Sequence, residues 1–487
     1  MILQFAAALS SSLAQRLTDH LLRPDGQEDC CFVLWHPATG SRRTTAALVD
    51  IVLPLEGERI VHGTVDFTSA FFLRAAALAA ERGCGVGLIH SHPEGNGWQS
   101  LNRVDYKAEA AFAAQALALT DQPLLGMTLA GGDGGHSARI WQKRDARHYR
   151  PLEAESVRVV GEQLTVTFNS TLVPAPVATS AQRRTVSAWG QLTQDTLARL
   201  HVGVVGTGSV GMLVVEALAR TGIGRLTLFD FDTVETVNLD RLLHATARDA
   251  RERRPKVDLA ARAARSAATA FRFRVAALEA SITEPGGFAA AADCDVLFSC
   301  VDRPWARHVL NLLAYAHFIP VVDGGVRVDA RGGRLQGAEW RAHVAAPGRA
   351  CLECIGQYDP ADVPTERAGL LEDPSYISGL PTDHPLRRNE NVFIFSAAAA
   401  TAELAQFITM TAAPAGVSDT GAHLYHLATA TLDRREEGCD PECPYETRLY
   451  GLGDAAPAFT GRHLAAERAR ASRNKLGPRL ARLLRCW

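Results

Sequence analysis

The chain has 487 residues, 47% of them hydrophobic and 21% charged, with a formal net charge of −2. That length suits two or three domains with cores of their own, and the near-neutral charge excludes a general electrostatic affinity for nucleic acid. The ten cysteines include two close pairs far apart in sequence, a usage that points to metal in a reducing compartment rather than to disulfides.

The opening stretch "MILQFAAALSSSLAQRL" has no basic residue ahead of its apolar part, so no signal peptide is expected and the cytoplasm is the default location. Residues 1–150 then alternate strand-like runs ("CCFVLW", "AALVDIVLP", "GVGLIH") with a helix over Ser69 to Arg82. His90 and His92 follow the apolar run Val86 to Ile89, and alternation along a strand end puts both imidazoles on one side. Asp105 opens a segment with helical spacing that can return its carboxylate to the same point. Two neutral nitrogens, one carboxylate oxygen and an open fourth position describe a catalytic zinc site. Such a site needs a base for the proton of the attacking water. Glu28, just ahead of the first of these strands, is the candidate, with Glu56 and Glu58 as competitors.

Glu28 with Cys30, the run His90-Ser91-His92-Pro93 and then Asp105 resemble the JAMM metalloprotease pattern, whose members cleave ubiquitin or ubiquitin-like proteins from whatever follows their C-terminal glycines. The resemblance implies zinc on His90, His92 and Asp105, with Glu28 as base and then acid. Where that pattern places a serine that donates to the tetrahedral intermediate, this chain has Asn102, with Ser100 nearby; an amide can also donate to an oxyanion. The loop from His92 to Asp105 is longer than in the common form.

Residues 151–182, which include the polar, Pro-containing "NSTLVPAPVATSAQRR", read as a linker. From 183 to 450 strands and helices repeat as expected of a parallel α/β sheet. There "LHVGVVGTGSVGMLVVEALARTGIGRLTLFDFD" is a strand, a turn at Gly206, Gly208 and Gly211, and a helix whose N-terminus favours phosphate. Asp230 closes the next strand, where an acid can hold ribose hydroxyls. The glycine triplet alone fits any dinucleotide or ATP user of this fold.

"DFDTVETVNLDR", "RRPKVDLAARAA" and "DVLFSCVDRPWARHVLN" narrow the choice, because together they resemble the ThiF and MoeB adenylyltransferases and the adenylation domain of ubiquitin-activating enzymes. The resemblance implies a ribose contact for Asp230, phosphate contacts for Asn238 and Arg241, a phosphate-side role for Lys256, and magnesium on Asp302. It also implies that Arg184, from the segment before the first strand, serves the other subunit of a homodimer.

Cys351 and Cys354 in "ACLECIG" and Cys439 and Cys443 in "GCDPECPY" form two pairs suited to a tetrahedral thiolate site. Related enzymes carry a structural zinc there, usually with two C-x-x-C pairs; the second pair here is wider. Many relatives then transfer the activated chain to a cysteine in the following loop. This chain has no cysteine between Cys354 and Cys439, and Thr365 stands near the nucleophile's place in "DVPTERAGLL". Either the enzyme stops at the acyl-adenylate or it forms an oxyester on Thr365, whose hydroxyl needs an activating base.

The alanine-rich segment Val392 to Ala415 carries Glu403 and Gln406, as a buried helix would, and no membrane span is expected. Residues 451–487 read as a basic tail, and in its last stretch, from Gly461 onward, Arg462, Arg468, Arg470, Arg473, Lys475, Arg479, Arg482 and Arg485 face Glu467 alone. Such a run is expected to be solvated, with partner or nucleic-acid docking as the alternative.

The combined expectation is an α/β chain. A JAMM-like metallopeptidase unit (1–150) is joined to a Rossmann-like, ThiF-type adenylation unit with a mainly parallel sheet (183–450). It would use ATP, magnesium, one catalytic and one structural zinc, and act on a ubiquitin-like or sulfur-carrier protein ending in glycine. A downstream conjugating protein or sulfur donor would follow, with neither membrane nor nucleic acid as partner. The alternatives are an NAD-dependent oxidoreductase, or an adenylating enzyme with a non-catalytic JAMM-like scaffold.

Overall fold

The computed structural model describes residues 4–62, 64–145, 148–372, 378 and 390–474. Its first unit is a nine-stranded mixed sheet. In chain order the strands are β1 (Gln4–Ser10), β2 (Cys30–Thr39), β3 (Arg43–Val52), β6 (Gly85–His92), β7 (Leu125–Ala130), β8 (His136–Lys143), β9 (Tyr149–Glu153), β10 (Ser156–Val160) and β11 (Thr165–Phe168), while β4 (Arg59–His62) and β5 (Thr64–Phe67) make a separate hairpin. The spatial order is β11-β10-β1-β3-β2-β6-β7-β8-β9. Helices Ser69–Glu81 and Arg103–Thr120 cover one face, where Phe71, Phe72, Ala75, Ala113 and Ala116 pack on Phe32, Val86 and Trp141.

The linker reading of 151–182 is corrected here. β10 pairs in parallel with β1, from Ala7↔Val157 to Ser10↔Val160, and β11 closes that edge. Val157, Arg158 and Val160 are buried, so this short run is held as a strand by tertiary pairing. Linker-like chain is confined to 169–179.

The second unit has eight strands: β12 (His201–Val205), β13 (Arg225–Phe229), β14 (Arg274–Leu278), β15 (Val296–Ser299), β16 (Val321–Arg331), β17 (Arg334–Ala345), β18 (Ala422–His426) and β19 (Thr431–Arg435). In the order β14-β13-β12-β15-β16-β17-β18-β19, the first five are parallel and the last three antiparallel, giving the α/β architecture expected. The helix Phe393–Ala412 is long and apolar enough to cross a membrane by length and composition. It lies against the sheet, burying Phe395, Ala399, Ala400, Phe407 and Met410. Its Glu403 accepts from the Cys300 thiol at 3.4 Å, and burial pushes that carboxyl well above its ordinary range, so it can sit in this core uncharged.

The units share a core. Ala8, Ala47 and Val160 of the first sheet belong to the same apolar cluster as Leu200, Val202 and Val204 of the second. At its edge Asp295, at the foot of β15, accepts from Arg43 and Arg158 at 2.8 Å each and from the His201 N–H at 2.9 Å. All three charged groups are buried, so each depends on the others for compensation of its charge.

The tail reading is also corrected. Helix Leu464–Asn474 docks on the second unit: Arg470 binds both oxygens of Glu284, and Arg473 pairs with Glu279. Lys475, Arg479, Arg482 and Arg485 lie outside the described residues.

Candidate functional site

The first candidate site forms where β6 leaves the sheet. Period-two alternation places His90 and His92 on one face, and β6 is fixed on both sides by β2 and β7. Asp105 arrives from the third position of helix Arg103–Thr120. Asn102 caps that helix, its side-chain oxygen accepting from the N–H groups of Val104 at 2.7 Å and Asp105 at 2.9 Å. The capping oxygen is thus committed to the helix, leaving only the Asn102 NH2 for the oxyanion role that the JAMM resemblance implies.

The three donor atoms form a tight triangle: His90 Nε2 to His92 Nε2 is 3.2 Å, and Asp105 Oδ2 lies 3.5 and 3.6 Å from them. Tetrahedral zinc with bonds of about 2.0–2.1 Å separates its ligands by about 3.3–3.4 Å, so the donor set fits that ion. Asp105 Oδ2 is moreover buried without a hydrogen-bond partner, a costly arrangement that a cation relieves. Burial works against the Asp105 charge, yet the two imidazoles hold its carboxyl well below the usual range, and Asp105 in turn raises His92 against burial.

Glu28, the base that the JAMM resemblance implies, lies two residues ahead of Cys30. Cys30 pairs with His90 across β2 and β6, and the Asp29–Ser91 backbones are tied in both directions: Ser91 N–H to Asp29 O and Asp29 N–H to Ser91 Oγ, each 3.0 Å. Glu28 therefore enters one residue ahead of a fixed point, close enough to contribute to the raised His92 pKa. The competitors are accounted for, since Glu58 is held by Arg74 at 2.5 and 2.9 Å and Glu56 is exposed in a turn. Burial pushes the neighbouring Cys30 thiol up to about 12, which makes it a poor nucleophile.

The sequence reading missed two supports. Gln99 Oε1 accepts from His92 Nδ1 at 3.2 Å, leaving Nε2 for the metal side. Asp29, fully buried between Arg23 and Arg59, anchors the backbone that carries Glu28. Neither has a motif that would mark it.

The second candidate site lies at the C-terminal ends of β12, β13 and β15. Gly206 has φ 86°, which favours glycine, and a Cβ there would strike the Cys300 carbonyl. Gly211 has no room for a Cβ against the Gly206 carbonyl, whereas Gly208 faces open space at the start of helix Ser209–Thr221. Asp230 Oδ2 accepts from Thr207 N–H at 2.8 Å and Thr207 Oγ1 at 3.1 Å, fixing the turn against the strand end. Burial raises the Asp230 pKa, and Lys256 partly offsets it.

Lys256 Nζ bonds Asp232 Oδ2 at 2.8 Å. Burial opposes its charge, but Asp230, Asp232 and Asp302 outweigh it and raise the pKa, so the ammonium stays charged with three carboxylates around it. Asp232 was not singled out in the sequence, although it stands two residues beyond Asp230. Asn238 ends the turn Thr236–Asn238, Arg241 follows it, and both bond locally: Asn238 accepts from the Glu235 N–H, and Arg241 donates to the Val237 carbonyl and Asp240. Arg184 is exposed near the start of helix Arg183–Arg199, which kinks at Gly190.

Thr365 lies not in a loop but within the short helix Asp362–Arg367, half-buried, and its neighbour Glu366 turns inward to accept from the Trp305 N–H. The four cysteines do converge. Their sulfurs lie within 4.8 Å of one another, and Cys351 Sγ to Cys443 Sγ is 3.7 Å, close to the separation of about 3.8 Å that zinc–sulfur bonds of ~2.3 Å require. The wider second pair is accommodated because Cys443 closes a turn onto the Asp440 carbonyl and starts the helix Pro444–Thr447.

The ThiF family model matches residues 179–415. That stretch, just under half of the chain, is similar to the ThiF family. Its relatives include the molybdopterin-synthase adenylyltransferase of Escherichia coli (strain K12), 31% identical over 167 residues that make up 34% of this chain and 61% of that protein. Ubiquitin-like modifier-activating enzyme 5 of Drosophila willistoni is 30% identical over 194 residues, 37% of this chain and 45% of that protein. The tRNA threonylcarbamoyladenosine dehydratase of Haemophilus influenzae is 55% identical over 56 residues, 11% of this chain and 22% of that protein. The chain covers less than two thirds of the length of each. None of these names is that of an NAD-dependent oxidoreductase, the alternative left open by the glycine turn. The match begins at residue 179, so the metallopeptidase reading of the first unit rests on its own geometry.

Proposed function

We propose that this chain is a two-site enzyme acting at the C-terminal glycine of a small ubiquitin-like or sulfur-carrier protein. In the ThiF-like domain the carrier carboxylate attacks the α-phosphate of ATP. A carboxylate–phosphorus bond forms, the bond to the β-phosphate bridge breaks, and pyrophosphate leaves behind an acyl-adenylate. The observation that carries this reading is the gathering of Asp230, Asp232 and Asp302 around a charged Lys256 beside the Gly206 turn. Lys256 neutralises phosphate charge, Asp230 holds the ribose, Asp302 would hold magnesium, and the helix beginning at Ser209 offers its N-terminus to phosphate. Asn238 and Arg241 exchange their local bonds for phosphate contacts when the nucleotide binds. Arg184, exposed, serves the second subunit of a homodimer.

The first unit hydrolyses the bond that follows the carrier's glycines. His90, His92 and Asp105 would hold zinc, which when bound would lower the pKa of the attacking water. Glu28 accepts the proton of the attacking water and returns it to the leaving amine, Gln99 keeps His92 oriented, and the Asn102 amide donates to the developing oxyanion. The four cysteines would hold a structural zinc. With Thr365 in a helix and its adjacent carboxylate turned inward, the acyl-adenylate passes to an external amine, sulfur donor or thiol protein. The setting is the cytoplasm. A non-catalytic first unit is the second reading, favoured by the capping role of Asn102.

The test is pyrophosphate release from ATP and magnesium, with and without a glycine-ended ubiquitin-like protein, for the wild type and Asp302→Ala. Release that needs both the carrier and Asp302 is expected. Release without a carrier would overturn the assigned substrate, and none under any condition would overturn the reaction.

A further inference from the structure

The C-terminal segment makes a connection that the proposed reaction does not use. Three rings stand in a column: Phe231 lies 4.6 Å from the His463 ring, and His463 stacks on Trp305 at 5.7 Å with 10° between planes. The Arg367 guanidinium covers Trp305 at 5.6 Å. Phe231 directly follows Asp230, and Trp305 stands three residues after Asp302. The column therefore joins the flanks of the two carboxylates assigned to ribose and magnesium, and its middle ring comes from the chain's last described segment.

Other bonds hold that segment on the same wall. Trp305 Nε1 donates to the Phe459 carbonyl at 2.8 Å, and the Gly461 N–H donates to the Thr283 carbonyl at 2.9 Å. Arg470 reaches the Glu279 carbonyl and the Glu284 carboxylate. Glu279 and Glu284 flank the end of β14, whose Leu278 carbonyl accepts from the Asp230 N–H at 3.2 Å. Several attachments of the segment thus fall on chain that leads to Asp230 or Asp302, through Leu278 and Trp305. A basic run would need none of this to stay soluble.

We propose that residues 459–474 clamp the nucleotide wall of the ThiF-like domain, with His463 as the positioning residue that sets Phe231, and through it Asp230, for ATP. This rests on the reading of that site as a nucleotide site. His463 is 9% exposed, and two of its contacts can be separated: it stacks between Phe231 and Trp305, and its Nδ1 accepts from the Ala466 N–H at 3.2 Å, starting the last helix. Phenylalanine keeps the stack and loses the cap; asparagine keeps the cap and loses the stack.

The experiment is calorimetric titration of the full-length protein with ATP and magnesium, comparing wild type with His463→Ala, His463→Phe and His463→Asn, alongside pyrophosphate release under saturating ATP. The expected result is Kd for ATP raised about three- to tenfold in His463→Ala and His463→Asn, near wild type in His463→Phe, with the saturated rate unchanged throughout. Equal affinity in all four proteins would overturn the clamp. Rescue by asparagine but not phenylalanine would overturn the positioning role and leave His463 as a helix cap. A wild type that binds no ATP would instead defeat the nucleotide reading itself, which keeps the two failures apart.

Discussion

The two candidate sites are built in opposite ways. At the triangle of His90, His92 and Asp105 the geometry is set before any ligand arrives: paired strands fix the imidazoles, a capped helix fixes the carboxylate, and one buried oxygen waits without a partner. At the Gly206 turn the strand-end acids and Lys256 are in place, but Asn238 and Arg241 spend their hydrogen bonds on their own turn. A small cation demands fixed donors at short range, whereas a large flexible nucleotide can draw side chains to itself. The difference teaches that loss of a donor at the first site should act through metal and rate, while loss at the second should act through ATP binding and turnover.

The largest effect expected is from Glu28→Gln. Zinc content should stay at wild-type level while cleavage of a carrier fused to a C-terminal peptide slows by about 10²–10⁴-fold; equal cleavage would break the assignment of the base. Asp302→Ala should lower pyrophosphate release by about 10²–10³-fold without changing zinc content, and a loss of zinc as well would show that the two sites are not independent.

The contact between the units tests whether that independence has a structural limit. Asp295→Ala leaves Arg43 and Arg158 buried without their carboxylate and should cost about 3–5 kcal/mol of stability, read by denaturant unfolding. Burial opposes the Asp295 charge, but the two arginines hold its carboxyl well below the ordinary range. Its stabilising effect should be complete above the unfolded carboxylate pKa of about 4 and fade only as pH falls toward the lower native value. A gap between wild type and Asp295→Asn that closed already near neutral pH would contradict this.

Gln99→Ala should weaken zinc at the first site by about 10–100-fold, read by competition with a chelator, while the four-cysteine site keeps its metal. The smallest effect is expected at Thr365, where replacement by alanine should leave any covalent carrier adduct undiminished. Its loss would restore the oxyester.

How much of this was legible in the chain differs by distance along it. The His90–His92 pair and the glycine turn are local patterns whose spacing meets the strand and helix periods. The strand β10 is only five residues long and was folded into the linker reading; pairing with β1, some 150 residues earlier, is what marks it as part of the sheet. Gln99, Asp29 and Asp232 carry no signature, since each acts by touching a residue that already has one. The helical setting of Thr365 was likewise invisible in "DVPTERAGLL".

By itself the sequence determined the α/β class, the two sets of chemistry-bearing residues and their order, because those follow from residue type and short-range period. The tertiary structure alone decided that Glu58 is committed to Arg74 while Glu28 contributes to the His92 field, that four distant cysteines meet, that Asp295 joins the units, and that Leu464–Asn474 of the basic tail is a docked helix. Each is a contact between segments far apart in the chain, and backbone periodicity carries no information about which segments will be buried against one another.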